Sequence, residues 1–154
     1  MEHETSRREF LAGAAAGLSL GAVITVTPAH ATPQEMRDAI RKVVGSARVT
    51  TGRVKLELPP LSENGNTVPL MVSIESPMTP ADHVRAIHIF TELNPQPEVV
   101  SFRFGPRAGH ARVSTRIRLA NTQTVTAIGE LSDGSYWSTT AAVVVTLAAC
   151  LEDA

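Results

Sequence analysis

The sequence predicts an all-β fold, an immunoglobulin-like antiparallel β-sandwich of about seven strands with a short N-terminal helix. Three observations lead there. Beyond residue 48, apolar and polar residues alternate with a period of two. The pattern is cleanest where Val113, Thr115, Ile117 and Leu119 oppose Arg112, Ser114, Arg116 and Arg118. Turn signals punctuate the runs at Asn64-Gly65, Pro77 to Pro80, Asn94-Pro95-Gln96-Pro97, Gly105-Pro106 and Asp133-Gly134. A single stretch, ahead of all of these, has helical periodicity. A small open barrel would satisfy the same pattern.

The elements follow in order. Thr32 is a good N-cap, Pro33 suits the first helical position and Glu35 completes a capping box. Met36, Ile40, Val43 and Val44 recur at helical spacing, and Gly45 is placed to end the helix, which occupies residues 32–47. The sandwich then runs over residues 48–147. Val54, Leu56 and Leu58 alternate with Lys55 and Glu57, and Val68, Leu70, Val72 and Ile74 share one parity. Val84 to Leu93, Val99 to Phe104, Val113 to Leu119, Val125 to Leu131 and Tyr136 to Leu147 read as the remaining strands. Asn64-Gly65 is expected to close a hairpin. Residues 148–154 form a C-terminal tail.

An export signal precedes the fold over residues 1–31. Ser6-Arg7-Arg8-Glu9-Phe10-Leu11 pairs two arginines with an apolar start, Leu11 to Thr27 is rich in Ala, Gly, Leu and Val, and Ala29-His30-Ala31 is a small-x-small cleavage site. This is similar to a bacterial twin-arginine signal, and its apolar run falls short of the roughly 20 residues that span a bilayer. Periplasmic delivery, with cleavage after Ala31 and no membrane attachment afterwards, is the expectation. Cleavage removes Arg7 and Arg8 together with Glu2, Glu4 and Glu9, which leaves a formally neutral chain. Such a chain has no electrostatic footprint for nucleic acid.

The chemically tempting residues offer little. His83, His88 and His110 share no metal-ligand spacing, and His88, in a strand beside Phe90, reads as a satisfied structural histidine. Arg112, Arg116 and Arg118 read as a solvated sheet face. The glycines form no phosphate-binding loop, and no serine sits in a nucleophile elbow. No cofactor, metal or self-sufficient catalytic centre is expected.

Cys150 stands apart. It is the single cysteine, four residues from the end of the sequence, and the export signal leads to an oxidising compartment. Such a thiol stays free, reacts, or pairs with another molecule. Ends of chains fray unless tied down, which favours exposure. If strand geometry continued, Val143, Val145, Leu147 and Ala149 would share the core face, and Thr146 and Cys150 the other. The bland alternative is an inert buried cysteine. The adjoining Glu152 and Asp153 disfavour the thiolate, so the isolated thiol is expected to be a poor nucleophile until a partner activates it.

These residues resemble the SoxY family of periplasmic sulfur carriers in bacterial thiosulfate oxidation. The likeness includes the twin-arginine signal, Glu63-Asn64-Gly65-Asn66-Thr67-Val68-Pro69-Leu70, Ser76-Pro77-Met78-Thr79 and Ile87-His88-Ile89-Phe90. It continues through Asn94-Pro95, Ser114-Thr115-Arg116-Ile117-Arg118-Leu119, Gln123-Thr124, Asp133-Gly134 and Val145-Thr146. It implies a sandwich paired with a second small sandwich subunit, SoxZ, and a terminal cysteine that holds substrate covalently while other enzymes act on it. Those enzymes would be a haem-containing c-type cytochrome (SoxAX), a SoxB-type hydrolase and a SoxCD-type sulfane dehydrogenase. By this resemblance the chain is a carrier subunit rather than an enzyme. Cys150 is the attachment point and Ala148, Ala149 and Leu151 are its arm.

The arm departs from the family pattern, which has glycines on both sides of the cysteine. Here Ala148 and Ala149 precede Cys150, and Leu151-Glu152-Asp153-Ala154 follows it. Alanine makes the arm stiffer. Its reach from Val145 to Cys150 would still be roughly 17 Å when extended. Two other readings remain on the residues alone. One is a protein-binding adaptor whose cysteine is incidental or forms an intermolecular disulfide. The other is a thiol-dependent redox enzyme or sulfurtransferase, which the missing second cysteine and activating base disfavour.

Overall fold

The capping box determines where regular structure starts. In the computed structural model, which describes residues 31–149, helix α1 spans Pro33–Val44. The Thr32 N–H donates to Glu35 Oε2 (2.6 Å), and the Glu35 N–H donates to Thr32 Oγ1 (3.2 Å). Gly45, at φ 62°, ends the helix with its N–H on the Arg41 carbonyl. Met36, Ile40, Val43 and Val44 all lie on the face that packs on Phe90, Ile128 and Tyr136.

Among the described residues nine strands follow: β1 Val49–Thr51, β2 Val54–Glu57, β3 Leu61–Ser62, β4 Val68–Ile74, β5 Val84–Thr91, β6 Glu98–Arg103, β7 Ala111–Ile117, β8 Gln123–Leu131 and β9 Tyr136–Val145. They build two sheets. One runs β1-β9-β8-β5-β6, with β3 also paired to β9, and the other runs β2-β4-β7. The main core lies between them. Leu70, Val72 and Ile74 of β4 meet Ile87 and Ile89 of β5, Val125 and Ala127 of β8, and Val143 and Val145 of β9. Strands β5 and β8 are buried on both faces because α1 covers the outer side of the larger sheet at Phe90 and Ile128. Among the described residues no helix is long and apolar enough to cross a membrane.

The immunoglobulin-like sandwich agrees with expectation, and so does the β7 pattern, whose arginines face outward. Three details differ. There are two further strands, β1 and β3, and both pair with β9 in parallel, so the larger sheet is mixed rather than purely antiparallel. Asn64-Gly65 closes no hairpin: it starts a 3-10 turn at Gly65–Thr67, with β3 on one sheet before it and β4 on the other after it. The last strand stops at Val145, so Leu147 leaves the core face and is 64% exposed.

The Asp133-Gly134 turn does join adjacent antiparallel strands, β8 and β9. The Asp133 carboxylate accepts from the Ser135 hydroxyl (2.6 Å) and N–H (2.9 Å), which holds it below the usual aspartate range. At the same end of β9, Arg53 (φ 53°) stacks its guanidinium 5.4 Å from the Trp137 ring centroid as the chain crosses from β1 to β2.

Thr32→Ala should remove the cap from α1 and cost about 1 kcal/mol. Chemical denaturation of the full chain checks this, and an unchanged midpoint would deny the cap its role.

Candidate functional site

The site is assembled around the point where the chain leaves β9. Cys150 and Leu151 lie outside the described residues, as do residues 1–30 of the proposed signal. Of the arm, Ala148 is exposed and Ala149 half-buried. Val145 ends β9 inside the core. The four residues that follow are not in a strand, yet they are bound to the sandwich.

Their bonds are almost all between backbone groups. The Val144 N–H donates to the Pro60 carbonyl (2.9 Å) and the Thr146 N–H to the Ser62 carbonyl (3.1 Å), which extends the parallel pairing with β3. The Val145 N–H turns the other way, to Thr122 Oγ1 (2.9 Å). Next the Leu147 carbonyl accepts from the Gly65 N–H (2.8 Å), and the Ala149 N–H donates to the Leu119 carbonyl (3.1 Å). The tie therefore reaches the residue before Cys150. The free run expected from Val145 shrinks to one Cα–Cα step of about 3.8 Å past Ala149 while these bonds hold.

Local chemistry prepares both receiving segments. Asn64 Oδ1 accepts from the Asn66 N–H (2.9 Å) and the Asn64 carbonyl accepts from Ser62 Oγ (3.1 Å), so the turn is folded on itself. Gly65 is buried within it. Its carbonyl accepts from the Leu119 N–H (2.8 Å), while its N–H faces the arm. Leu119 is wholly buried. Its neighbours are held by Asn94, which is 7% exposed. Asn94 Oδ1 accepts from the Ala120 N–H (3.0 Å) and from Gln123 Nε2 (3.0 Å), and Asn94 Nδ2 donates to the Arg118 carbonyl (2.8 Å). Gln123 Oε1 accepts from the Leu93 N–H (2.8 Å) and closes the network. Sequence reasoning noted Asn94, Gln123 and Gly65 only within turns or resemblances. It missed their joint role because they are far apart in the chain.

The discounted residues sit elsewhere. His83 is a loop pin, its Nδ1 3.0 Å from the Thr79 carbonyl. His88 is buried, with Nδ1 2.6 Å from Ser101 Oγ. Since Ser101 gives its own proton to Glu98, His88 Nδ1 must be the donor to Ser101. Nε2 is buried and has no hydrogen-bond partner among the described residues, so the histidine is structural but only half satisfied. His110 is exposed, just ahead of β7. Arg112 donates to Met71 Sδ, and Arg116 and Arg118 point to solvent. Among the described residues no three His, Cys, Asp or Glu side chains are placed to hold a metal.

Asn94→Ala should leave the buried Ala120 N–H without an acceptor, at a cost of about 2–3 kcal/mol. Urea denaturation measures it, and a loss below a few tenths would show that the 118–123 segment does not depend on this side chain.

Comparison with known proteins bears on the family and the fold. A profile of the family described as sulfur oxidation protein SoxY matches residues 40–150. The sulfur carrier protein SoxY from Chlorobium limicola f thiosulfatophilum is 30% identical, with a TM-score of 0.63 over 74% of this chain and 98% of that chain. The superoxide reductase (neelaredoxin) of Ignicoccus hospitalis, 20% identical with a TM-score of 0.55 over 75% of this chain and 94% of that one, shares the fold alone. So does the superoxide reductase of Nanoarchaeum equitans, 12% identical with a TM-score of 0.52 over 62% and 99%. No curated protein sequence matches the chain. With a family match that covers most of its length, and a solved member similar over two thirds of it, the chain belongs to the SoxY family.

Proposed function

We propose that this protein is a periplasmic sulfur carrier that holds its cargo covalently on the Cys150 thiol while partner enzymes process it. The observation that carries the reading is the family match, which runs through the sandwich and ends at residue 150. A carrier needs a rigid body and a defined exit for its attachment chain. The core and the bonds that seat Thr146–Ala149 are consistent with both.

The chemistry balances if partners supply the oxidants. A c-type cytochrome of SoxAX type would accept two electrons as the thiol and thiosulfate join through a new S–S bond, with release of the thiol proton. Water, directed by a SoxB-type hydrolase, would then cleave the terminal sulfonate as sulfate and leave a persulfide on Cys150. A SoxCD-type dehydrogenase would take six electrons from the outer sulfur and add three oxygens from water. A second hydrolysis would return the thiol and release a second sulfate. The chain itself contributes the handle and its placement. A covalent bond keeps each intermediate from diffusing away and presents it in a restricted pose. A SoxZ-like sandwich subunit is the proposed constant partner.

Intact-mass spectrometry of native protein tests the attachment. Adducts of about 112 or 32 Da, the masses of an added thiosulfate or sulfane group at a reactive thiol, are expected and should vanish in Cys150→Ser. Cys150→Ser should also abolish thiosulfate-dependent turnover with the partners. Full turnover in that variant would favour the adaptor reading instead.

Export through the twin-arginine route, which carries folded cargo, further suggests that the two subunits leave the cytoplasm together on one signal. Arg7→Lys with Arg8→Lys should strand both inside, as cell fractionation would read. Normal export of the partner would refute shared passage.

A further inference from the structure

Gly65 lies where the arm meets the sandwich, and what it lacks is what the arm uses. Its φ is not in the left-handed region, so its backbone conformation would admit another residue. Space would not. A Cβ at this position would stand 2.5 Å from the Leu119 carbonyl oxygen, 2.7 Å from the Ala149 nitrogen and 3.0 Å from the Leu147 carbonyl oxygen. All three are backbone atoms, which cannot rotate aside as the end of a long side chain can. Leu119 is wholly buried beside the Asn94 network, so it is the fixed member of the three. The other two belong to the arm. An added methyl group would therefore push the arm off.

The same atoms make the bonds. Gly65 N–H to the Leu147 carbonyl, Leu119 N–H to the Gly65 carbonyl and Ala149 N–H to the Leu119 carbonyl form a continuous ladder of 2.8, 2.8 and 3.1 Å. This ladder involves no side chain of the arm. It holds whatever residues occupy positions 147 to 149, provided residue 149 has an N–H and residue 65 has no side chain. Leu147 is left 64% exposed by the seating, so burial of its side chain is not what holds the arm down.

We infer that Gly65 is a positioning residue for the carrier thiol. It seats Leu147–Ala149 on the sandwich, so Cys150 begins one residue beyond a fixed point. Loss of the ladder would free the chain only beyond Thr146, whose N–H stays on the Ser62 carbonyl (3.1 Å), and would leave roughly 14 Å of extended reach to Cys150. The role of the thiol rests on the carrier reading above, whereas the seating does not.

Amide hydrogen exchange by NMR on the full chain tests the seating directly. The Gly65 and Ala149 amides are expected to exchange roughly tenfold or more slowly than in an unstructured chain, as one or two net hydrogen bonds provide. Gly65→Ala should return Ala149 to the unstructured rate while the Ile87 and Val125 amides of the core keep theirs. Ala149→Pro removes the donor without touching the sandwich, and tests the same ladder should Gly65→Ala fail to fold. In Ala149→Pro the Gly65 amide should lose protection as the ladder shortens. An Ala149 amide unprotected in the native protein, or Gly65 protection unchanged in Ala149→Pro together with Ala149 protection unchanged in Gly65→Ala, would overturn the inference. Exchange repeated in Cys150→Ser separates the two readings. Protection there without any adduct in the native protein sinks the carrier and spares the seating, while adducts on Cys150 with an unprotected Ala149 do the reverse.

Discussion

The functional end of this molecule depends on one buried side-chain amide. Asn94 receives two hydrogen bonds and gives one, all to groups between Arg118 and Gln123. In a low-dielectric interior such a network is costly when incomplete and rigid when complete. Because this one is complete, Leu119 keeps its carbonyl aimed at Ala149 and its N–H at Gly65. Without that pin the exit of β9 would keep its pairing with β3 at Ser62 but lose the fixed carbonyl that Ala149 lies against. Position at the arm is thus set by groups in the β3–β4, β5–β6 and β7–β8 connections, not by side-chain contacts of the arm.

That explains which parts were legible in the residues. The helix was, because a capping box and a Gly stop are local signals that act within a few positions. The long strands were too, since alternation over seven or more residues specifies a half-buried surface. Strands β1 and β3 were not. They are three and two residues long, and each exists only because the edge of β9 is there to pair with. Asn64-Gly65 misled for a related reason: the dipeptide permits a tight reversal, but distant partners decide which strands flank it. Leu147 misled because alternation was carried past Val145, where Gly65 takes over the backbone. The seat itself is made of backbone bonds and an absent side chain, which leave almost no trace in a sequence. Cys150 was legible as a thiol by being alone, and its surroundings fall outside the described residues.

Several segments that carry the family likeness turn out to be neighbours in space. Asn64-Gly65, Asn94-Pro95, Gln123-Thr124 and Val145-Thr146 all contribute to the root of the arm. Ile87-His88-Ile89-Phe90 instead forms the middle of β5 under the helix. The likeness thus marks the root, while the alanines flanking the thiol depart from it. The two observations fit together energetically. An alanine loses less backbone freedom than a glycine on being fixed, by about 0.5–1 kcal/mol per residue. Ala148 and Ala149 therefore tilt the arm towards lying on the sandwich.

The parallel pairing of β9 has a consequence for biogenesis. Its flanking partners come from residues 49–62 on one edge and 123–131 on the other, so its sheet neighbours span most of the chain. Contacts of such wide sequence separation form slowly, because long loops must close before they repay the entropy. While the last residues are still within the ribosome, β8, β1 and β3 wait without their common neighbour. Strand β9 completes the larger sheet, so a product that stopped before Tyr136 would leave β8, β1 and β3 without the strand they share.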